Sequence, residues 1–209
     1  MTPRHTFGRY FGECPLIAII RGVPPPEAAG IARALFEAGI RIVEVPLNSP
    51  EPFASIEAIA GELGEEALVG AGTVLDPADV ERVKKAGGRI VVSPNTDRAV
   101  IQATVAAGLV SSPGFFTPSE ALLALQAGAH ALKFFPAEAA SPKVVKAIRA
   151  VLPSDVPLVV VGGVTPESIR GWLEAGADGF GLGGGLYAPG QSTNDTLAKA
   201  RAYVEAVRR

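Results

Sequence analysis

A single compact (β/α)8 barrel of the α/β class is the fold the sequence predicts, and three observations carry that prediction. Short apolar runs recur along the chain without the polar alternation of a sheet that has one face in water, which is the signature of parallel strands buried on both sides. Capped, amphipathic stretches of helical period lie between these runs. About eight such units fit into 209 residues, close to the lower limit for a barrel of this kind. A doubly wound open sheet is the alternative, but no Gly-x-Gly-x-x-Gly follows the first strand.

The strands are expected at 16–21, 42–47, 68–74, 89–93, 109–113, 131–135, 158–161 and 179–182. The first helix of the repeat begins within 24–27, aligns Ala28, Ile31, Ala32 and Leu35 on one face and stops at Ala38-Gly39. Three later helices share one grammar: a capping residue followed by proline at the first turn and Ala-Gly at the end. They are Asp76-Pro77 to Ala86-Gly87, Thr117-Pro118 to Ala127-Gly128, and Thr165-Pro166 to Ala175-Gly176. Thr117 with Glu120 three residues on is also a capping box. Further helices are expected at 50–63, 97–107, 142–151 and 194–207. Nothing reads as a linker, so 1–209 is expected to form one domain, with Phe7, Tyr10 and Phe11 in a helix within 1–13 that caps the barrel floor.

Composition excludes several classes of function. The chain is 48% hydrophobic and 19% charged, with a formal net charge of -2, so it lacks the basic footprint of a nucleic-acid binder. Its apolar runs fall far short of the roughly 20 residues that span a membrane, and residues 1–13 hold no apolar signal-peptide core. A lone cysteine, Cys14, cannot form an intrachain disulfide. A cytoplasmic protein is therefore expected. With only His5 and His130, and no His/Cys/Asp cluster at ligand spacing, no metal site or cofactor is expected.

The polar residues that interrupt the buried strands are the candidates for chemistry. Lys133 alternates with Ala131 and Phe135 on one side of its strand, among apolar neighbours. Burial disfavours the charged form of lysine, and a neutral amine is what adds to a ketone. A lysine that reaches water at the strand end is the plain alternative. Glu44 lies between Val43 and Val45 on the face of Ile42, where a charge needs either an ion-pair partner, such as Arg21 or Lys133, or a proton-transfer task. The same parity places Arg21 with Ile17 and Ile19, and groups Thr73 with Val69 and Ala71. On that rule all four polar side chains enter the lumen. The glycines beside Thr73 suggest close backbone approach by a partner such as a substrate carboxylate. Gly162-Gly163 and Gly183-Gly184 follow the last two strands, where barrels of this kind form phosphate sites from backbone N–H groups.

These words together resemble the class I 2-keto-3-deoxy-6-phosphosugar-acid aldolases over nearly the whole chain. The resemblance rests on Val43-Glu44-Val45, Gly70-Ala71-Gly72-Thr73-Val74-Leu75, the run from Lys133 to Ala139, and Gly162-Gly163-Val164-Thr165-Pro166. It implies a metal-independent lyase in which Lys133 forms the Schiff base and Glu44 moves protons. Arg21, Thr73, Asn48, Pro94 and Phe135 would bind the substrate, while Gly162, Gly163, Gly183 and Gly184 would cradle its phosphate. It also implies a homotrimer acting on a phosphorylated sugar acid, with no nucleic acid or membrane as partner. Asn48-Ser49-Pro50, Ile20-Arg21-Gly22 and Leu152-Pro153-Ser154-Asp155 favour the phosphogalactonate branch, whereas the run from Lys133 to Ala139 reads like the phosphogluconate enzymes, and unphosphorylated 4-hydroxy-2-oxoglutarate stays open as a substrate. The serine usual in the last glycine loop of the family is missing. A phosphosugar isomerase or epimerase using Glu44 as base, and a non-catalytic phosphometabolite sensor, are the more distant alternatives.

Overall fold

The structure, a computed structural model, describes residues 2–208. Its strands are β1 (Leu16–Ile19), β2 (Ile42–Pro46), β3 (Leu68–Gly72), β4 (Ile90–Val92), β5 (Val110–Ser112), β6 (Gly114–Phe115), β7 (Leu132–Phe134), β8 (Leu158–Val161) and β9 (Gly179–Leu182). Its α-helices are α1 (Pro3–Glu13), α2 (Pro25–Ala38), α3 (Pro52–Leu63), α4 (Pro77–Lys85), α5 (Arg98–Ala106), α6 (Pro118–Gln126), α7 (Pro142–Arg149), α8 (Ile169–Glu174) and α9 (Thr193–Arg208). All strand pairs are parallel, in the order β5-β4-β3-β2-β1-β9-β8-β7-β6.

β5 and β6 are two halves of one barrel strand broken at Pro113, which has no N–H to give to a ladder. The carbonyls of Ser111, Pro113 and Phe115 accept from the backbones of His130, Lys133 and Phe135 at 2.9, 2.9 and 3.1 Å, and so join this strand to β7. The molecule is therefore the eight-stranded barrel expected, with strand five bent. Gly114 follows the bend because a side chain there would meet the backbone of Pro94, 2.3 Å from an added Cβ.

Strand parity divides the core in two. Leu16, Ala18, Ile20, Val43, Val69 and Val91 face outward beneath the helices, whereas Ile17, Ile19, Ile42, Leu68, Ile90, Val92, Val110, Ala131, Val159 and Val161 fill the lumen. Phe7, Tyr10 and Phe11 on α1 belong to the lumen cluster. Phe7 stacks on Phe11 with ring centroids 4.8 Å apart, the Tyr10 hydroxyl donates to the Glu65 carbonyl at 2.6 Å, and Arg4 pairs with Asp155. Helix α1 thus covers the amino-terminal end of the barrel.

The caps largely follow the sequence. Asp76 and Asp97 accept from the first free N–H groups of α4 and α5, and Thr117 with Glu120 forms the full capping box of α6. The exception is Thr165. Ser168 bonds Thr165 through both its hydroxyl and its backbone N–H, each at 3.0 Å. That turn uses up the expected first turn, and α8 starts only at Ile169. Among the described residues no helix is long and apolar enough to cross a membrane.

Phe7 is 1% exposed and closes the floor of the lumen. Phe7→Ala is expected to lower the unfolding free energy by about 3 to 5 kcal/mol. Urea titration checks this, and a loss within about 0.5 kcal/mol, the level of a surface substitution, would show that α1 is not part of the core.

Candidate active site

The polar residues gather at the carboxyl ends of the strands, in two connected spaces that share Lys133. The outer one is a cavity of about 640 Å3 bordered by Arg21, Thr73, Pro94, Lys133, Phe135, Gly162, Gly163, Gly183 and Gly184. The inner one, about 10 Å3, is bordered by Glu44, Ser112 and Lys133 with the apolar Ile17, Ile19, Val92, Val159, Val161 and Gly181. Asn48 borders neither; it sits at the rim, where its side-chain oxygen accepts from the Arg21 guanidinium.

Lys133 is 6% exposed, so its head does not run out to solvent. Its Nζ lies 4.9 Å from the centre of the Phe135 ring. Burial pushes its pKa below the usual lysine value; the Glu44 carboxylate opposes that shift and the Arg21 charge adds to it. Glu44 is 1% exposed. Burial raises its pKa to about 7, with Lys133 and then Arg21 pulling the other way. No ion pair within 4.0 Å joins Glu44 to either cation, and Glu44 Oε2 has no hydrogen-bond partner. The ion-pair reading of this carboxylate therefore does not hold in this structure. The site keeps a carboxyl able to hold or release a proton near neutrality beside an amine biased toward its neutral form.

Strand parity misplaces the third strand. Val69 and Ala71 face outward, and it is Gly70 and Gly72 that face the lumen. Thr73 reaches the outer cavity for another reason: its φ of 54° is left-handed, which turns its side chain back toward the mouth. That conformation is unfavourable for a β-branched residue, by roughly 1 to 3 kcal/mol. There its hydroxyl accepts from Arg21 at 3.3 Å. Gly72 also has a different task from the one expected. A Cβ on Gly72 would lie 1.8 Å from Glu44 Oε2, so the close approach is made by the protein's own carboxylate.

Charge also reaches the glycine loops of the large cavity. Gly162 and Gly163 adopt φ of 115° and 62°, and the exposed Glu138 side chain lies over both, 2.0 Å from a Cβ built on Gly162. Arg21 and Lys133 are the cations of the lining. Sequence reasoning passed over Glu138, which stood inside a quoted motif, and over Ser112, whose hydroxyl is buried in an apolar strand with no partner. The paired serines before Pro113 were the available signal for the latter. His130 lies at the far end of its strand, where Nδ1 accepts from the Ser111 N–H at 3.0 Å. Among the described residues no group of three or more His, Cys, Asp or Glu is placed to hold a metal ion.

A (β/α)8 barrel with a buried amine and a buried carboxyl at the carboxyl ends of its strands belongs to the class of barrels equipped for carbonyl chemistry. The family model for KDPG and KHG aldolases matches residues 9–200. The chain is 48% identical over 196 residues to the 2-dehydro-3-deoxy-6-phosphogalactonate aldolase of Escherichia coli strain K12, covering 94% of this chain and 96% of that one. A solved structure described as native KDPGal superposes with a TM-score of 0.92 at 47% identity, covering 94% of this chain and 95% of that one. A cube-shaped porous cage designed by fusing symmetric oligomeric domains gives 0.91 at 48% identity, covering 92% of this chain and 72% of that one. The chain belongs to the KDPG and KHG aldolase family.

The raised pKa of Glu44 links the site to stability. A carboxyl that binds its proton more tightly folded than unfolded adds stability that is fully present below the ordinary value of 4.5 and is lost as pH rises through about 7. Glu44→Gln removes that dependence. Between pH 5 and pH 8 the variant is expected to gain roughly 2 kcal/mol relative to the parent in urea unfolding. Parallel pH curves for the two proteins would show that Glu44 is not held protonated by burial.

Proposed function

We propose that this protein is a class I aldolase that cleaves 2-dehydro-3-deoxy-6-phosphogalactonate to pyruvate and D-glyceraldehyde 3-phosphate. The observation that carries the proposal is the pairing of a buried amine, Lys133, with a buried carboxyl, Glu44, on the border of one small space. The nitrogen lone pair of Lys133 adds to the C2 carbonyl, and the carbinolamine hydroxyl takes up a proton from solvent and leaves as water to give an iminium; that proton is released again when the iminium is hydrolysed. Glu44 takes the C4 hydroxyl proton as the C3–C4 bond breaks, and the bonding electrons pass into the iminium to give an enamine. Glyceraldehyde 3-phosphate leaves. Glu44 returns the proton to C3, water adds at C2, and pyruvate departs as the amine is restored. A carboxyl with a pKa of about 7 can both accept and return that proton at neutral pH.

Binding roles follow from position. Arg21, with Thr73 and Asn48 in hydrogen-bond contact, offers a cation for the substrate carboxylate and donors for its hydroxyls. Pro94 and Phe135 wall the pyruvyl end, and the N–H groups of Gly162, Gly163, Gly183 and Gly184 receive the phosphate. We include in the same reading a cytoplasmic location, expected from the composition, and a homotrimer, which the family resemblance implies. The phosphogluconate epimer is the second reading, favoured by the run from Lys133 to Ala139. A kinetic comparison of the two six-carbon epimers, coupled to pyruvate detection, decides between them.

Borohydride added with pyruvate is expected to reduce the iminium and leave a stable adduct on Lys133, seen in the peptide mass. An unmodified Lys133 peptide would end the aldolase reading in favour of an isomerase or a sensor. Glu44→Gln should lose at least about 100-fold in kcat while still trapping pyruvate. Unchanged turnover would remove Glu44 from the proton-transfer role.

A further inference from the structure

The proposed reaction uses Lys133 and Glu44 and leaves Ser112 without a task. Ser112 is 1% exposed, at the end of β5 against the Pro113 bend, and its register partner on β4 is the lumen residue Val92. Its hydroxyl has no hydrogen-bond partner, and the same is true of Glu44 Oε2. Leaving a buried polar group unpaired is costly, because it gives up its hydrogen bonds to water and gains none in return. Both groups border the inner cavity together with Lys133, and the rest of its border is apolar.

Two unpaired polar atoms and an amine around one small space call for a shared partner. A volume of about 10 Å3 is at the lower end of the roughly 10 to 15 Å3 that admits the centre of a single water. A buried water needs two to four polar partners, and these three side chains supply them, whereas cavities that stay dry are lined by apolar groups alone. Any larger ligand is excluded by size.

Resting on the aldolase reading, we propose that Ser112 is a positioning residue that holds one buried water against the Glu44 carboxyl and the Lys133 amine, on the floor side of the site. Ser112 fixes the water from β5, and the water donates to Glu44 Oε2. This gives the ionised carboxylate a hydrogen bond that no protein group offers and steadies its orientation under the substrate. The charged groups that face Glu44 are Lys133 from β7 and Arg21 from the segment after β1; β3 presents only the backbone of Gly72. Neither cation hydrogen-bonds Glu44 Oε2 directly, so the water is the donor on that side.

The test is the pH profile of aldol cleavage for Ser112→Ala, Ser112→Val and Ser112→Thr. Removing the hydroxyl should lower kcat about tenfold with KM within about twofold, because the substrate contacts are untouched. It should also move the acidic limb of kcat/KM to higher pH, since the ionised form of Glu44 loses a donor. Ser112→Thr should restore both. Ser112→Val fills the space outright; should it fail to fold, Ser112→Ala carries the comparison. An unmoved acidic limb in Ser112→Ala overturns the inference, as does a fall in thermal stability with kcat and the limb unchanged. Pyruvate trapping by the parent enzyme separates the two readings. Trapping with an indifferent Ser112→Ala sinks this inference alone, and no trapping sinks the aldolase reading beneath it.

Discussion

The constraint on which the rest of the site depends is the removal of the Lys133 amine from water. A lysine held at 6% exposure must either find a close anionic partner or give up part of its charge. Here the carboxylate that could neutralise it, Glu44, is buried as well and forms no ion pair with it. Each group therefore makes the charged form of the other useful but not secure. The surroundings keep this balance. Phe135 lies over the amine, aliphatic side chains fill the barrel below it, and Gly72 leaves room for the carboxylate where any side chain would displace it. The other cation of the neighbourhood, Arg21, is turned toward Asn48 and Thr73 at the rim.

The outer cavity brings two cations, Arg21 and Lys133, together with two glycine loops, and Glu138 lies above two of those glycines. In the proposed reaction the substrate carboxylate meets side-chain charge and its phosphate meets backbone N–H groups. With no hydroxyl residue among Gly183, Gly184 and Gly185, the proposed grip on phosphate rests on the backbone N–H groups of those loops.

Much of this was legible in the chain because an uninterrupted strand has a period of two. Ile17, Ile19 and Arg21, Ile42 and Glu44, and Ala131, Lys133 and Phe135 all point where alternation sends them. Alternation failed where the backbone leaves the regular strand. Thr73 enters the mouth through a left-handed φ that no sequence pattern announces, and of the glycines before it Gly72 makes room for Glu44 while Gly70 makes room for the Ile90 backbone. Pro113 bends the fifth strand, which a reading of apolar runs treats as straight. Ser168 captures Thr165 and shortens α8, a local hydrogen bond that competes with the helix on equal terms. Ser112 and Glu138 were missed because each is ordinary by type. Only a partnerless hydroxyl in a closed space, or a carboxylate folded over two glycines, sets them apart, and both are properties of three dimensions.

The measurement that bears most directly on the central claim is the titration of the Lys133 side chain itself. NMR of protein carrying labelled lysine, with Lys133→Arg to assign the resonance, would follow its Cε and Nζ shifts with pH. Lys133 is expected to lose its proton below the ordinary lysine value of 10.5, apart from the other lysines. A Lys133 that titrates with the surface lysines would contradict it.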